Sequence, residues 1–154
     1  MKKKLLLLCL CLMTLVSCKK TVVASAIKKD FADKQWLATD VKTFELKVKR
    51  NIDNGDIKIL FSHVYEPQYS SVPLEITIES PSGAKEEVAI NLVLKDAEGN
   101  DLSDCSGDIC DLHTVVKEGV KLEKGIYKIS VKNKFAYEYL ANVLAVGASI
   151  EREE

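Results

Sequence analysis

The chain has 154 residues, 29% of them charged and 47% hydrophobic, with a formal net charge of -1. One ordinary domain with enough chain to bury a core fits that length, and a second would be crowded. Without the lysine-bearing first 17 residues the balance is mildly acidic, and a mildly acidic domain without a basic patch is a poor candidate for nucleic-acid binding.

The chain opens on an export signal. Lys2, Lys3 and Lys4 precede an apolar run from Leu5 to Val16, which ends in Leu15-Val16-Ser17-Cys18. The run is short for a membrane span, which takes roughly 20 residues, but suits the central region of a signal peptide. Small Ser17 before Cys18 gives a lipoprotein signal peptidase access to the backbone. Cleavage there removes 1–17 and leaves Cys18 as a lipidated N-terminus, with diacylglycerol on sulfur and commonly a third acyl chain on the amine. Each buried methylene adds about 0.8 kcal/mol, so two or three chains anchor durably. The expected protein is therefore held to a membrane without spanning it. Competing readings are an ordinary signal cut before a coincidental Cys18, or a core helix over 5–16. Removing 17 of the 154 residues leaves 137, with 19 basic and 23 acidic side chains and a net charge of -4.

Residues 18–35 lack a strong period and carry several lysines, so they read as the lipidated N-terminus and a tether. The folded domain is expected over 36–154, starting near Trp36. From there apolar residues recur at every second position, the strand period. Phe44, Leu46 and Val48 alternate with polar residues, as do Ile57, Ile59 and Phe61. Between the two runs, Asn54-Gly55 is a strong hairpin signal, because both residues tolerate positive φ. The spacing thus predicts a hairpin joining these strands.

Leu74, Ile76 and Ile78 form another alternating face before the break at Pro81-Ser82-Gly83. Val88, Ile90, Leu92 and Leu94 make the next, followed by turn-forming residues over 96–101. A weaker strand over 114–122 is interrupted at Glu118-Gly119, and Tyr127, Ile129 and Val131 restore clean alternation. Only 135–142 suits a turn or two of helix. Leu144, Val146, Ala148 and Ile150 close the pattern. Seven or eight short strands with hardly a helix predict an all-β, antiparallel β-sandwich.

Catalytic motifs are sparse. The chain has no GxSxG elbow, HExxH site or phosphate-binding glycine loop. His63 and His113, its two histidines, read as surface or strand residues, and no catalytic residue or cofactor is expected. Cys9 and Cys11 leave with the signal, so Cys105 and Cys110 remain as a close pair in an oxidising compartment. That favours a disulfide. The alternative is zinc held by both thiolates and His113, with His63 or a carboxylate as fourth ligand. Asp96, Glu98, Asn100, Asp101, Asp104, Asp108 and Asp111 crowd oxygen atoms into one region, as calcium requires. Their spacing does not match an EF-hand, and hairpin turns select the same residues. No bound metal is therefore expected.

Several landmarks together carry a family resemblance. They are Cys18, Trp36 with the alternating strand after it, the Tyr65–Tyr69 connection before PLEITIESPSG, LVLKDAEGN, the Gly107-Asp108-Ile109 loop, KGIYKISVKN and VLAVGASIE. In their order and spacing the chain resembles the gliding motility-associated lipoprotein family GldH over nearly all of its mature length. Cys105 and Cys110 around the Gly-Asp loop, and the alanines of the last strand, depart from the expected pattern. The resemblance implies a noncatalytic lipoprotein that works with other envelope proteins in gliding motility and associated protein secretion. It supplies no catalytic residues.

A second reading is a carbohydrate- or peptide-binding envelope lipoprotein, with Trp36, Tyr65 and Tyr69 as candidate ligand-binding rings and Tyr137 and Tyr139 as further platforms. Expected partners are the membrane, through the lipid anchor, and other envelope proteins, with no nucleic acid. The expected location is the outer membrane, with the domain in the periplasm and display at the cell surface as the alternative.

Overall fold

Alternating apolar residues need a second layer to cover them, and the fold supplies it as two facing sheets. The computed structural model describes residues 19–153, so the export signal and Cys18 lie outside the described residues. In chain order the strands are β1 (Lys20–Lys28), β2 (Trp36–Leu37), β3 (Lys42–Val48), β4 (Ile52–Val64), β5 (Ser71–Glu79) and β6 (Lys85–Val93). They continue with β7 (Asp104–Ser106), β8 (Ile109–Leu122), β9 (Gly125–Asn133), β10 (Tyr139–Leu140) and β11 (Val143–Glu153). One sheet runs β1-β11-β4-β8-β7 and the other β3-β9-β5-β6, while β10 and β2 form a small ribbon. Every pairing is antiparallel. The all-β sandwich anticipated from the period-two pattern is the observed architecture.

Its core lies between the sheets. Ile57, Ile59 and Phe61 from β4 are buried with Val146 and Ile150 from β11, and the other sheet contributes Phe44, Leu46, Ile76, Ile129 and Val131. Fully burying such a side chain stabilises the fold by roughly 1.5–3 kcal/mol. The Pro81-Ser82-Gly83 break is the β5–β6 turn, where Gly83 adopts φ 84° and its N–H donates to the Ser80 carbonyl at 2.9 Å.

Four local expectations are corrected. β3 and β4 do not form a hairpin. β3 pairs with β9, whereas β4 pairs with β11 and β8, so the chain crosses between sheets over residues 49–51. Both strands carry an apolar face, and those faces meet across the core instead of lying side by side. Asn54-Gly55 sits inside β4 at a register irregularity, with Gly55 opposite both Val120 and Arg152. A Cβ there would lie 2.8 Å from Leu122 Cδ1 and 3.3 Å from the Glu151 carbonyl. This glycine therefore permits close packing and makes no turn.

Residues 20–28 are not a tether. They form an edge strand paired along its length with β11. Val23, Ala24 and Ala26 pack against the core cluster, an inward pattern that the lysines at either end obscure. Residues 135–142 form no helix. They make a bend and then β10, because Tyr139 and Leu140 pair with Leu37 and Trp36. Finally, the strand expected over 114–122 extends back to Ile109 and runs through Glu118-Gly119, where Gly119 adopts φ 64°.

Candidate functional site

One end of the sandwich collects the ends of β4 and β9, the start of β5, and the loops that follow. Asn133 organises it. Its buried amide donates to the Trp36 carbonyl at 3.0 Å, and its side-chain oxygen accepts the Phe135 N–H at 2.7 Å. That sets the course of 134–139, and the Ala38 N–H donates to the Glu138 carbonyl at 2.9 Å. Across the gap, the Tyr69 hydroxyl donates to the Ala141 carbonyl. Burial pushes the Tyr69 phenol above its ordinary range. A buried hydroxyl fixed in this way is a wall, not a free ligand group.

The result is an aromatic cleft of about 530 Å³ lined by Gln68, Tyr69, Phe135, Tyr137, Glu138, Tyr139 and Ala141. Phe135 stands 5.5 Å from Tyr69 and 5.4 Å from Tyr137, centroid to centroid, with tilted planes. Tyr137 is 73% exposed. Such rings offer flat apolar faces beside the Glu138 carboxylate, suited to stacking on a sugar or packing against a peptide.

Of the five rings named from the sequence, Tyr69, Tyr137 and Tyr139 line this cleft, and Trp36 and Tyr65 do not. Trp36 is corrected from ligand platform to core residue. It is fully buried, donates from Nε1 to the Asp40 carbonyl at 2.7 Å and meets Phe31 edge-on at 6.0 Å. Tyr65, half exposed, lines a separate polar cleft of about 650 Å³ with Glu66, Lys95, Asn100, Asp101 and Ser103. Phe135 escaped the sequence reading because one of its ring partners, Tyr69, comes from a distant segment. The run FAYEY was its one signal.

Lys42 holds the approach to this end. Its almost fully buried ammonium sits 2.7 Å from Asp40 and 3.0 Å from Asp30, and lies 4.4 Å from the Phe31 centroid. Burial opposes its charge, but hydrogen bonds to the two carboxylates outweigh that and raise its pKa. Segment 29–41 is thereby clamped to β3.

Beneath the polar cleft, fully buried His63 meets Ser103 and Asp101. His63 Nδ1 is 2.9 Å from the Val64 carbonyl, which can only accept, so Nδ1 carries the proton. Nε2 lies 2.8 Å from the Ser103 hydroxyl. Asp101 approaches the same Nε2 at 3.9 Å. In a Ser-His-Asp triad the carboxylate must orient the opposite ring nitrogen, so this geometry lacks the relay.

Cys105 and Cys110 sit directly opposite each other in the β7–β8 pairing and are joined by a disulfide, with Cα atoms 4.0 Å apart. The Cys110 sulfur, His63 and Asp101 place candidate ligand atoms within 4.8 Å of one another. The sulfur is spent in the disulfide, and exposed His113 pairs with Leu60 further along the sheet. The zinc set of both cysteines with His113 is therefore not assembled. Nor do the acidic residues converge as calcium ligands. The Asp96 carboxylate accepts from the Glu98 and Asn100 backbone and the Asn100 side chain, while Asp111 accepts from Ser62. Hydrogen bonds from Asn100 hold the Asp96 carboxyl below its ordinary range.

Among solved structures, the chain is similar to a family 35 carbohydrate binding module from Clostridium thermocellum at 13% identity, covering 84% of this chain and 97% of that one, with a TM-score of 0.39. It is similar to Eiger TNF from S. frugiperda at 9% identity, covering 68% and 62%, with a TM-score of 0.35. Dimeric latent PorU from Porphyromonas gingivalis shows 10% identity, 90% and 14% coverage and a TM-score of 0.32. At these scores none bears on function. No curated protein matches the chain. A family model described as GldH lipoprotein matches residues 24–150.

Proposed function

Because this chain belongs to the GldH lipoprotein family, we propose that it is a membrane-anchored, noncatalytic lipoprotein that binds other cell-envelope proteins in gliding motility and associated protein secretion. The observation that carries this reading is the extent of the family match, which runs from within β1 to within β11 and so takes in both sheets. The anchor is Cys18, and the domain resides in the periplasm on the outer membrane. The misaligned His63 and Asp101 lend no support to a hydrolytic role, and the solvent-facing aromatic cleft suits recognition. Its contact with a partner protein runs through Tyr137 and Tyr139.

Crosslinking and affinity purification of the full-length lipoprotein from its native envelope, compared with Cys18→Ala, tests the proposal. Reproducible recovery of gliding or secretion-machine components supports it. Recovery of glycan-uptake proteins, or of no protein, counts against it. The second reading, carbohydrate or peptide binding, is favoured by the same exposed rings. Glycan-array binding that disappears in Tyr137→Ala would establish it over the assembly role.

A further inference from the structure

The opposite end of the sandwich carries a different surface. Here β1 begins, β11 ends, and the 49–51 connection passes between the sheets. A groove of about 430 Å³ is lined by Thr21, Val22, Val23, Lys49, Arg50, Ile52 and Arg152. Its lining holds three cations and no acid, over an apolar floor on which Val22 is 55% exposed. Among the described residues, no carboxylate lies within ion-pair distance of Lys19, Lys49, Arg50 or Arg152. The nearby acids are otherwise engaged or outside the lining: Asp56 and Glu118 face Lys20, and Glu153 accepts from Asn54, leaving Asp53 beside the groove.

The place of this groove in the chain gives it meaning. β1 is locked into the sheet from Lys20 onward, and Cys18 is two residues away, a reach of at most about 7 Å. A surface so close to acyl chains lies within roughly one Debye length, about 8–10 Å, of lipid phosphates. Resting on the anchored reading above, we propose that this groove is a seat for anionic lipid headgroups. Lys19, Lys49, Arg50 and Arg152 engage their phosphates, and Val22 meets the acyl boundary. The sandwich then stands end-on at the membrane. At about 3.3 Å per strand residue, the nine residues of β1 carry the aromatic cleft roughly 30 Å from the bilayer. The acidic 96–111 segment lies at that far end, away from the like-charged lipid.

The test is hydrogen exchange of the full-length lipoprotein in nanodiscs of phosphatidylglycerol or of phosphatidylcholine, with intact mass reporting acylation of Cys18. Amides of 19–24 and 49–53 should exchange at least ~10-fold more slowly in phosphatidylglycerol. The protection should vanish in the triple variant K49E/R50E/R152E and persist in the far-end control K29E/K34E. Equal exchange in the two lipids, with Cys18 acylated, overturns the headgroup seat and leaves the anchor standing. Lipid-selective protection of a chain without acyl mass supports the seat and sinks the anchor. Absence of both defeats both. The lipid comparison uses the unmutated chain, so a folding defect in the triple variant does not obscure the result.

Discussion

Lys20 Nζ lies 2.6 Å from Asp56 Oδ2 and joins the first residue of β1 to β4 across the intervening β11. The Gly119 N–H donates to the other Asp56 oxygen at 3.0 Å, which brings β8 into the same contact. One carboxylate thus ties three strands together at the end of the sandwich where β1 begins.

That arrangement predicts a pH window. The hydrogen bond from Lys20, helped by the Gly119 N–H and opposed by burial, holds the Asp56 carboxyl below its ordinary 3.8. Its stabilisation is present above the unfolded value and lost as pH falls through the folded one. The hydrogen bond to Asp56 raises Lys20 above 10.5, so the lysine's share is present below that value and lost as pH rises through the folded one. Asp56→Asn should melt below the wild type at neutral pH, and the gap should narrow below about pH 4. A melting-temperature series across pH checks this, and a constant gap would refute it.

Two aromatic substitutions should separate core from cleft. Trp36→Ala empties a fully buried site and should cost about 3–5 kcal/mol. Tyr137→Ala removes an exposed ring and should change stability by no more than about 0.5 kcal/mol, while weakening capture of whatever occupies the cleft. Urea unfolding gives the first comparison and partner crosslinking the second.

Gly125→Ala should destabilise more than an ordinary surface change. Gly125 adopts φ 146°, and a Cβ there would lie 2.5 Å from the Pro81 side chain in the β5–β6 turn. The backbone and the neighbouring turn would both have to move, at about 1–3 kcal/mol. Chemical denaturation measures the cost, and an unchanged midpoint would show that the turn yields freely.

Replacing Cys105 and Cys110 by serine should cost about 2 kcal/mol, the chain-entropy value for so small a loop. Alkylation mass spectrometry of envelope protein should find no free thiol at either position. Reductant should lower the wild-type melting temperature toward that of the double-serine chain. A melting curve indifferent to reductant would remove the disulfide from the stability account.

Local periodicity was enough to read the main sandwich strands, though not β1 or β10, because alternation records which face is buried, whatever covers it. For the same reason it could not say which strands pair. Phe44, Leu46 and Val48 present the same pattern whether Ile57, Ile59 and Phe61 lie beside them in one sheet or opposite them in another. Asn54-Gly55 looked like a turn because glycine answers equally to positive φ and to close packing. Only its crowded surroundings distinguish the two. Trp36 and Tyr137 are likewise both aromatic residues near polar neighbours, yet one lies in the core and the other in solvent.

The sequence by itself determined the all-β class, the inward faces of the main strands, the family landmarks and the expectation of a lipid anchor. All are properties of short segments or of their order. Tertiary structure alone decided the crossing between β3 and β4, the conversion of the supposed tether into β1, the Tyr69-Phe135-Tyr137 cleft and the cationic groove beside Val22. Each depends on contacts between residues far apart in the chain. Such contacts arise only when two sheets bury their apolar faces against each other, and local patterning does not encode which partners that burial brings together.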